Sequence, residues 1–192
     1  MHRRPLLEAI AEYGLRYPEE HVCVGRFAEF VHRYTNCFSR ALLPGHVTGS
    51  AWVVDADGHR TLLTHHRKLD IWVQLGGHSD DDPDPRAVAL REAREESGLD
   101  DLILADGRIF DLDIHSIPAR GSEPAHEHFD VRYVVRAVVN TQFRVSAESK
   151  ALAWVAVGEL DSLTREASML RMRDKWLRMR DKWLRRDEGT AA

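Results

Sequence analysis

Apolar residues near the N-terminus recur at helical spacing. Leu6, Leu7, Ile10 and Leu15 mark one amphipathic helix, which stops around Tyr17 because the following Pro18 pushes its neighbour out of helical geometry. Val24, Phe27, Phe30, Val31 and Tyr34 mark a second helix. Its aromatic stripe reads first as packing against the chain that follows, and second as a cover over a substrate. After Leu43-Pro44-Gly45 the period changes to that of strands. His46 to Asp55 is strand-like, Asp57-Gly58 is a hairpin turn, and Arg60 to His66 returns as the partner strand. Ile71 to Leu75 forms a short apolar strand that delivers the chain to a turn at Gly76 and Gly77. Leu102 to Leu104, Ile109 to His115, His126 to Val135 and Ala151 to Val157 complete the strands.

The stretch from Gly76 to Leu99 breaks the alternation. An acidic loop, Asp80-Asp81-Asp82-Pro83-Asp84-Pro85, opens a short helix that Gly98 stops. Asp84 is the expected N-cap with Pro85 first in the helix; Asp82 with Pro83 is the alternative. The aspartates face the positive end of the helix dipole, which explains them without a metal. Glu92, Glu95 and Glu96 lie three and four residues apart and therefore project from one side, where like charges repel. Arg91 and Arg94 relieve this only in part. A hard divalent cation would remove the repulsion, because Mg²⁺ prefers carboxylate and carbonyl oxygens.

Counted from Gly77, the run Arg91-Glu92-Ala93-Arg94-Glu95-Glu96-Ser97-Gly98-Leu99 resembles the Nudix box, G-x5-E-x7-R-E-U-x-E-E-x-G-U with U aliphatic. Trp72 to Gly77 resembles the strand that leads into it. The first box glutamate is missing, since Pro83 stands there between Asp82 and Asp84, its candidate substitutes. The resemblance covers residues 46–160 and does not extend to 1–45. It implies an α/β fold, an α/β/α sandwich around a mixed sheet; the N-terminal helices (1–45) and the long C-terminal helix and tail (161–192), read from their own spacing, are expected to pack on this core as one domain. The resemblance also implies hydrolysis of a diphosphate linkage in a small nucleotide or nucleoside diphosphate derivative with Mg²⁺ or Mn²⁺. Glu95 and Glu96 would be the principal metal ligands, joined by the Gly76 carbonyl. Glu92 would ligate a metal or accept a proton from the attacking water, and Arg91 would orient a box glutamate. Glu148, in the loop before Trp154, occupies the place where many members supply one more carboxylate. A non-nucleotide diphosphate and a non-catalytic ligand-binding domain are the alternatives, and Pro83 favours the latter.

Composition narrows the classes. The 192 residues are 43% hydrophobic and 30% charged, with a net charge of −4, which fits a globular enzyme and argues against a dedicated nucleic-acid groove. Cys23 and Cys37 are too few for a disulfide scaffold and lack zinc-type spacing. No apolar run approaches a membrane span and no signal segment opens the chain, so a cytoplasmic location is expected.

Two further features stand apart from the box. In His126 to Val135, Phe129, Val131, Tyr133 and Val135 share one face, while His126, His128, Asp130 and Arg132 share the other. Pairing with Asp111 to His115 would bring His115 to His126 or His128. His115, His126, His128 and Asp130 are therefore either a polar sheet face or a second metal or substrate site. Imidazole suits Zn²⁺, Ni²⁺ or Fe²⁺ better than Mg²⁺. The second feature is the tail, where Arg171 to Leu177 is repeated as Arg178 to Leu184. Met169, Met172, Trp176, Met179 and Trp183 make a seam at three–four spacing. It serves either a homodimer or a longer helix on the same monomer, and Asp161 or Ser162 is the expected cap.

Overall fold

A computed structural model describes residues 2–67, 70–121, 124–139, 141–145 and 149–188, with 182–188 as backbone alone. The elements are α1 (Arg4–Arg16), α2 (His21–Arg33), β1 (Gly45–Val54), β2 (Arg60–His66), β3 (Trp72–Val73), β4 (Leu75–His78), α3 (Pro85–Ser97), β5 (Leu102–Leu104), β6 (Asp111–Ile117), β7 (His126–Ala137), β8 (Ser149–Ala156) and α4 (Ala167–Glu188). The chain forms two compact units, and the boundary falls within β1, α3 and β7.

The first unit comprises Met1–Ala51, Gly76–Glu92 and Asp106–Val134. Here β1 pairs with β4 and β7, and β7 with β6. The β6–β7 ladder is antiparallel and sets Asp111 opposite Arg132, Asp113 opposite Asp130, and His115 opposite His128. One face of this sheet is apolar. Phe129 stacks on Phe30 with ring centroids 3.7 Å apart and meets Phe27 edge-on at 5.4 Å. The aromatic stripe of α2 is thus spent on core packing. Leu6, Ile10 and Tyr13 of α1 are buried too, whereas Leu15 is exposed. The Tyr13 hydroxyl donates to Glu20 and accepts from the Leu112 amide at 3.3 Å. Burial, reinforced by Asp111, raises the Tyr13 pKa. Gly49 in β1 lets α3 settle on the strand, because a Cβ there would lie 2.6 Å from the Pro85 carbonyl and 2.8 Å from Val88.

The second unit holds Trp52–Leu75, Ala93–Ala105 and Val135–Ala192. β2 pairs antiparallel with the end of β1, with β3 and with β8, and Trp154 sits opposite Leu62. The hairpin turn falls where expected, with Gly58 at φ +66°. Helix α4 buries Met169, Met172 and Trp176, and the Trp176 indole donates to the Gly58 carbonyl at 2.8 Å.

Three local expectations are corrected. Gly76 and Gly77 do not turn; they lie inside β4, and the turn follows at Asp80 and Asp81, both with positive φ. The expected strand over Ile71 to Leu75 is split at Gln74 into β3 and β4. Helix α4 begins at Ala167, because Val157–Ser162 forms a 3₁₀ turn that holds Asp161 and Ser162.

The first copy of the repeated heptad supplies Met172 and Trp176 to the core, while Met179 of the second is half-buried. The side chains of Trp183 and Leu184 lie outside the described residues. One heptad adds about 10.5 Å of helix and returns to nearly the same face. Deletion of Arg178 to Leu184 is therefore expected to leave a folded protein. Urea unfolding should show a loss of less than about 2 kcal/mol, mainly from the Arg180 contact with His59. Failure to fold would mean that the second heptad carries part of the core.

Candidate active site and histidine cluster

Asp84 caps α3. Its carboxylate accepts from the Arg86 amide at 3.1 Å and from the Arg86 guanidinium at 2.9 and 3.0 Å. The Arg86 side chain, then burial working against it, sets the Asp84 pKa below the usual carboxylate value. The other flank of Pro83 is used as well, because Asp82 accepts from the Asp84 amide at 2.9 Å. Both aspartates beside Pro83 thus help to build the helix start.

Glu92, Glu95 and Glu96 follow on the same continuous helix. Glu95 is exposed and Glu96 nearly buried. Glu92 is held from two sides. The Arg91 guanidinium donates to it at 2.9 Å and to the His78 carbonyl at 2.9 Å, tying helix to strand. Gly77 lies directly against its carboxylate, since a Cβ at Gly77 would sit 2.4 Å from the second oxygen. Gly76 packs just as closely on Ser50 of β1. At both positions the absence of a side chain allows two backbones and a carboxylate to approach. Glu148 lies outside the described residues.

The polar face of the first unit has two ends. At one, Arg132 is almost wholly buried, its side chain 2% exposed. It donates to Asp130 at 2.7 Å, Asp111 at 3.1 Å and Asp113 at 3.2 Å. Burial alone would lower its pKa, but Asp130, Asp113 and Asp111 outweigh that and hold it raised. Thr48 and Ser50 both donate to the remaining Asp130 oxygen at 2.8 Å. Asp130 is therefore engaged in this ionic network.

At the other end lie five imidazoles. His115, His126 and His128 come from β6 and β7; His46 from β1 and His78 from β4 join them. His46 centres 5.0 Å from His78, 5.0 Å from His126 and 4.8 Å from His128. His115 and His128 centre 5.4 Å apart. Ligating atoms of His46, His78 and His128 all fall within 4.8 Å of one another. His46 and His78 escape sequence reasoning because β1 and β4 are distant in sequence from β7. The available signal was the period-two run His46, Thr48, Ser50 among buried apolar residues.

Burial lowers the His128 pKa to about 2, helped by His115, His46, His78 and His126. It lowers that of His46 to about 4, helped by His78, His126 and Arg40 and opposed by Asp80. Because the unfolded value is 6.5, the unfolded chain takes up its proton first as pH falls. Stability is full above pH 6.5 and is lost as pH drops towards 4. In chelator-treated protein, His46 alone should cost about 2 kcal/mol by pH 5 relative to pH 7. Urea midpoints at the two pH values in parent and His46→Asn measure this. Equal pH dependence in both would mean that His46 titrates normally.

The sequence matches the NUDIX domain family over residues 44–176, so the chain belongs to that family. No curated protein matches it. Among solved structures it resembles an Ap4A hydrolase from C. elegans, with TM-score 0.56 and 16% identity over 69% of this chain and 96% of that one. A dihydroneopterin triphosphate pyrophosphohydrolase from E. coli gives TM-score 0.53 and 17% identity over 67% and 92%. The MutT protein from Methanosarcina mazei Go1 gives 0.50 and 18% over 73% and 96%. The fold is accordingly α/β, with a mixed sheet, N-terminal helices and a C-terminal helix. No helix among the described residues is long and apolar enough to cross a membrane.

Proposed function

We propose that the chain hydrolyses a diphosphate linkage in a small nucleotide or nucleoside diphosphate derivative. Mg²⁺, or Mn²⁺, would be held by Glu92, Glu95, Glu96 and the Gly76 carbonyl. The observation that carries this reading is the clamp on Glu92, where Arg91 and the bare backbone of Gly77 fix one carboxylate of the box. The donor set is hard oxygen, which suits these ions. When bound, such an ion neutralises the diphosphate oxygens and lowers the pKa of the attacking water. The rest falls to the chain. Arg91 holds the Glu92 carboxylate in place, where it would bind an ion or take the proton released by the water. Glu148 is a further candidate for that proton. The nucleotide class is supported by the names of the neighbours, an Ap4A hydrolase and a dihydroneopterin triphosphate pyrophosphohydrolase.

The second reading is a domain that binds its ligand without cleaving it. Pro83 favours it, because the first box carboxylate is missing and Asp82 and Asp84 are engaged at the helix start. A nucleotide panel with Mg²⁺, scored for phosphate or nucleoside monophosphate release, separates the two. Release that stops with chelator is expected. Tight binding without release across the panel would select the second reading.

A further inference from the structure

We propose that His46, His78 and His128 form a binding site for a divalent transition-metal ion of the Zn²⁺ class, with His126 as a fourth nitrogen donor. The site does not rest on the hydrolase reading. It is built by three strands, β1, β4 and β7, so the ligands stand on paired backbone and not on a loop.

Four observations point to an ion. The ligating atoms of the three histidines lie within 4.8 Å of one another. His46 is only 2% exposed, and neither of its ring nitrogens has a hydrogen-bond partner. Buried imidazole nitrogens without partners are costly, and a metal bond would satisfy one of them. The Nε2 atoms of His126 and His128 are 3.3 Å apart. That separation is long for a hydrogen bond, but it matches the edge of a tetrahedron with metal–nitrogen bonds of about 2.0–2.1 Å, which is about 3.3–3.4 Å. Finally, the outer nitrogens are anchored. His126 Nδ1 lies 3.0 Å from the Pro124 carbonyl, which can only accept, so the proton sits on Nδ1 and Nε2 keeps its lone pair. His115, opposite His128 in the ladder, contacts Asp113 through Nδ1 at 3.1 Å in the same manner.

Neutral imidazoles suit Zn²⁺, Ni²⁺ or Fe²⁺ and offer little to Mg²⁺, so this site would select a different ion from the carboxylates of α3. The rings must turn inward on loading, because 4.8 Å exceeds the tetrahedral edge. His78 connects the two places: its ring faces the histidines while its carbonyl accepts from Arg91, which holds Glu92.

The test uses the full chain without an affinity tag, stripped with chelator and titrated with Zn²⁺ alone by calorimetry. One tight equivalent is expected. Glu95→Gln plus Glu96→Gln should retain it. His46→Asn plus His128→Asn should weaken it by at least about a hundredfold, with circular dichroism as the folding check. Loading with Co²⁺ should give the intense visible bands of a tetrahedral, nitrogen-rich site. The proposal is overturned if the parent binds no tight equivalent, if the histidine variant binds as the parent does, or if the glutamate variant loses the ion. Should the histidine variant not fold, the parent's Co²⁺ spectrum decides, and a weak octahedral spectrum overturns the site. No substrate enters the experiment, so its failure leaves the hydrolase reading to be judged by the nucleotide panel.

Discussion

Glu95→Gln and Glu96→Gln are each expected to lower turnover by at least about a hundredfold, with the fold intact. The substitution keeps side-chain size and removes one negative charge from α3. Charge neutralisation of a diphosphate is a large catalytic term, and an amide oxygen is a poorer ligand than a carboxylate for a hard cation. The effect on folding has the opposite sign. Glu96 stands four residues from Glu92, and Glu95 three, so each change removes a repulsion of a few tenths of a kcal/mol, about 0.2–0.5 by helix-pair measurements. Metal-free protein should accordingly be as stable as the parent or slightly more so. Steady-state hydrolysis at saturating Mg²⁺, together with thermal unfolding in chelator, measures both parts. Near-parent turnover in both variants would sink the assignment of the box as the metal site.

How far the sequence carried depended on whether a contact was local. The start and stop of α3 were readable, because Asp84, Pro85 and Gly98 act on their immediate neighbours. Alternation within one hairpin brought His115 near His126 or His128, and the ladder sets it opposite His128. His46 and His78 were not found, because their approach to His128 depends on how β1 pairs with β4 and β7, which no local pattern encodes. Gly76 and Gly77 misled for a physical reason. Glycine serves a turn and a close backbone approach equally well, and here the approach of Ser50 and Glu92 requires it inside a strand. The expected cap of α4 failed similarly: a 3₁₀ turn consumed Asp161 and Ser162 before the helix began. The role of Asp130 was open from its face alone, and what decides its surroundings is Arg132 two residues on, together with Thr48 and Ser50 from another strand.

Arg132→Met should be the most destabilising single change in the first unit, by about 3–5 kcal/mol. The guanidinium uses its three nitrogens on three carboxylates, Asp130, Asp111 and Asp113, and two of these are fully buried. Methionine fills most of the space but removes the cation, which leaves the carboxylates desolvated and facing one another. The cost is the stranded charge and not the worth of the pairs, because a buried ion network contributes little net stability when compared with apolar packing. That distinction is testable. Arg132→Lys keeps the charge but reaches fewer oxygens with a single ammonium, so its loss should fall between parent and Arg132→Met. Combining Arg132→Met with Asp111→Leu and Asp130→Leu removes the stranded charges together with the cation, and should recover part of the stability that Arg132→Met loses, although the Thr48 and Ser50 hydroxyls then lose their acceptor. Urea unfolding across the series provides the free energies. If Arg132→Met lies within about 1 kcal/mol of the parent, water must reach these carboxylates, and the buried network would not be what holds β6 to β7 on this face.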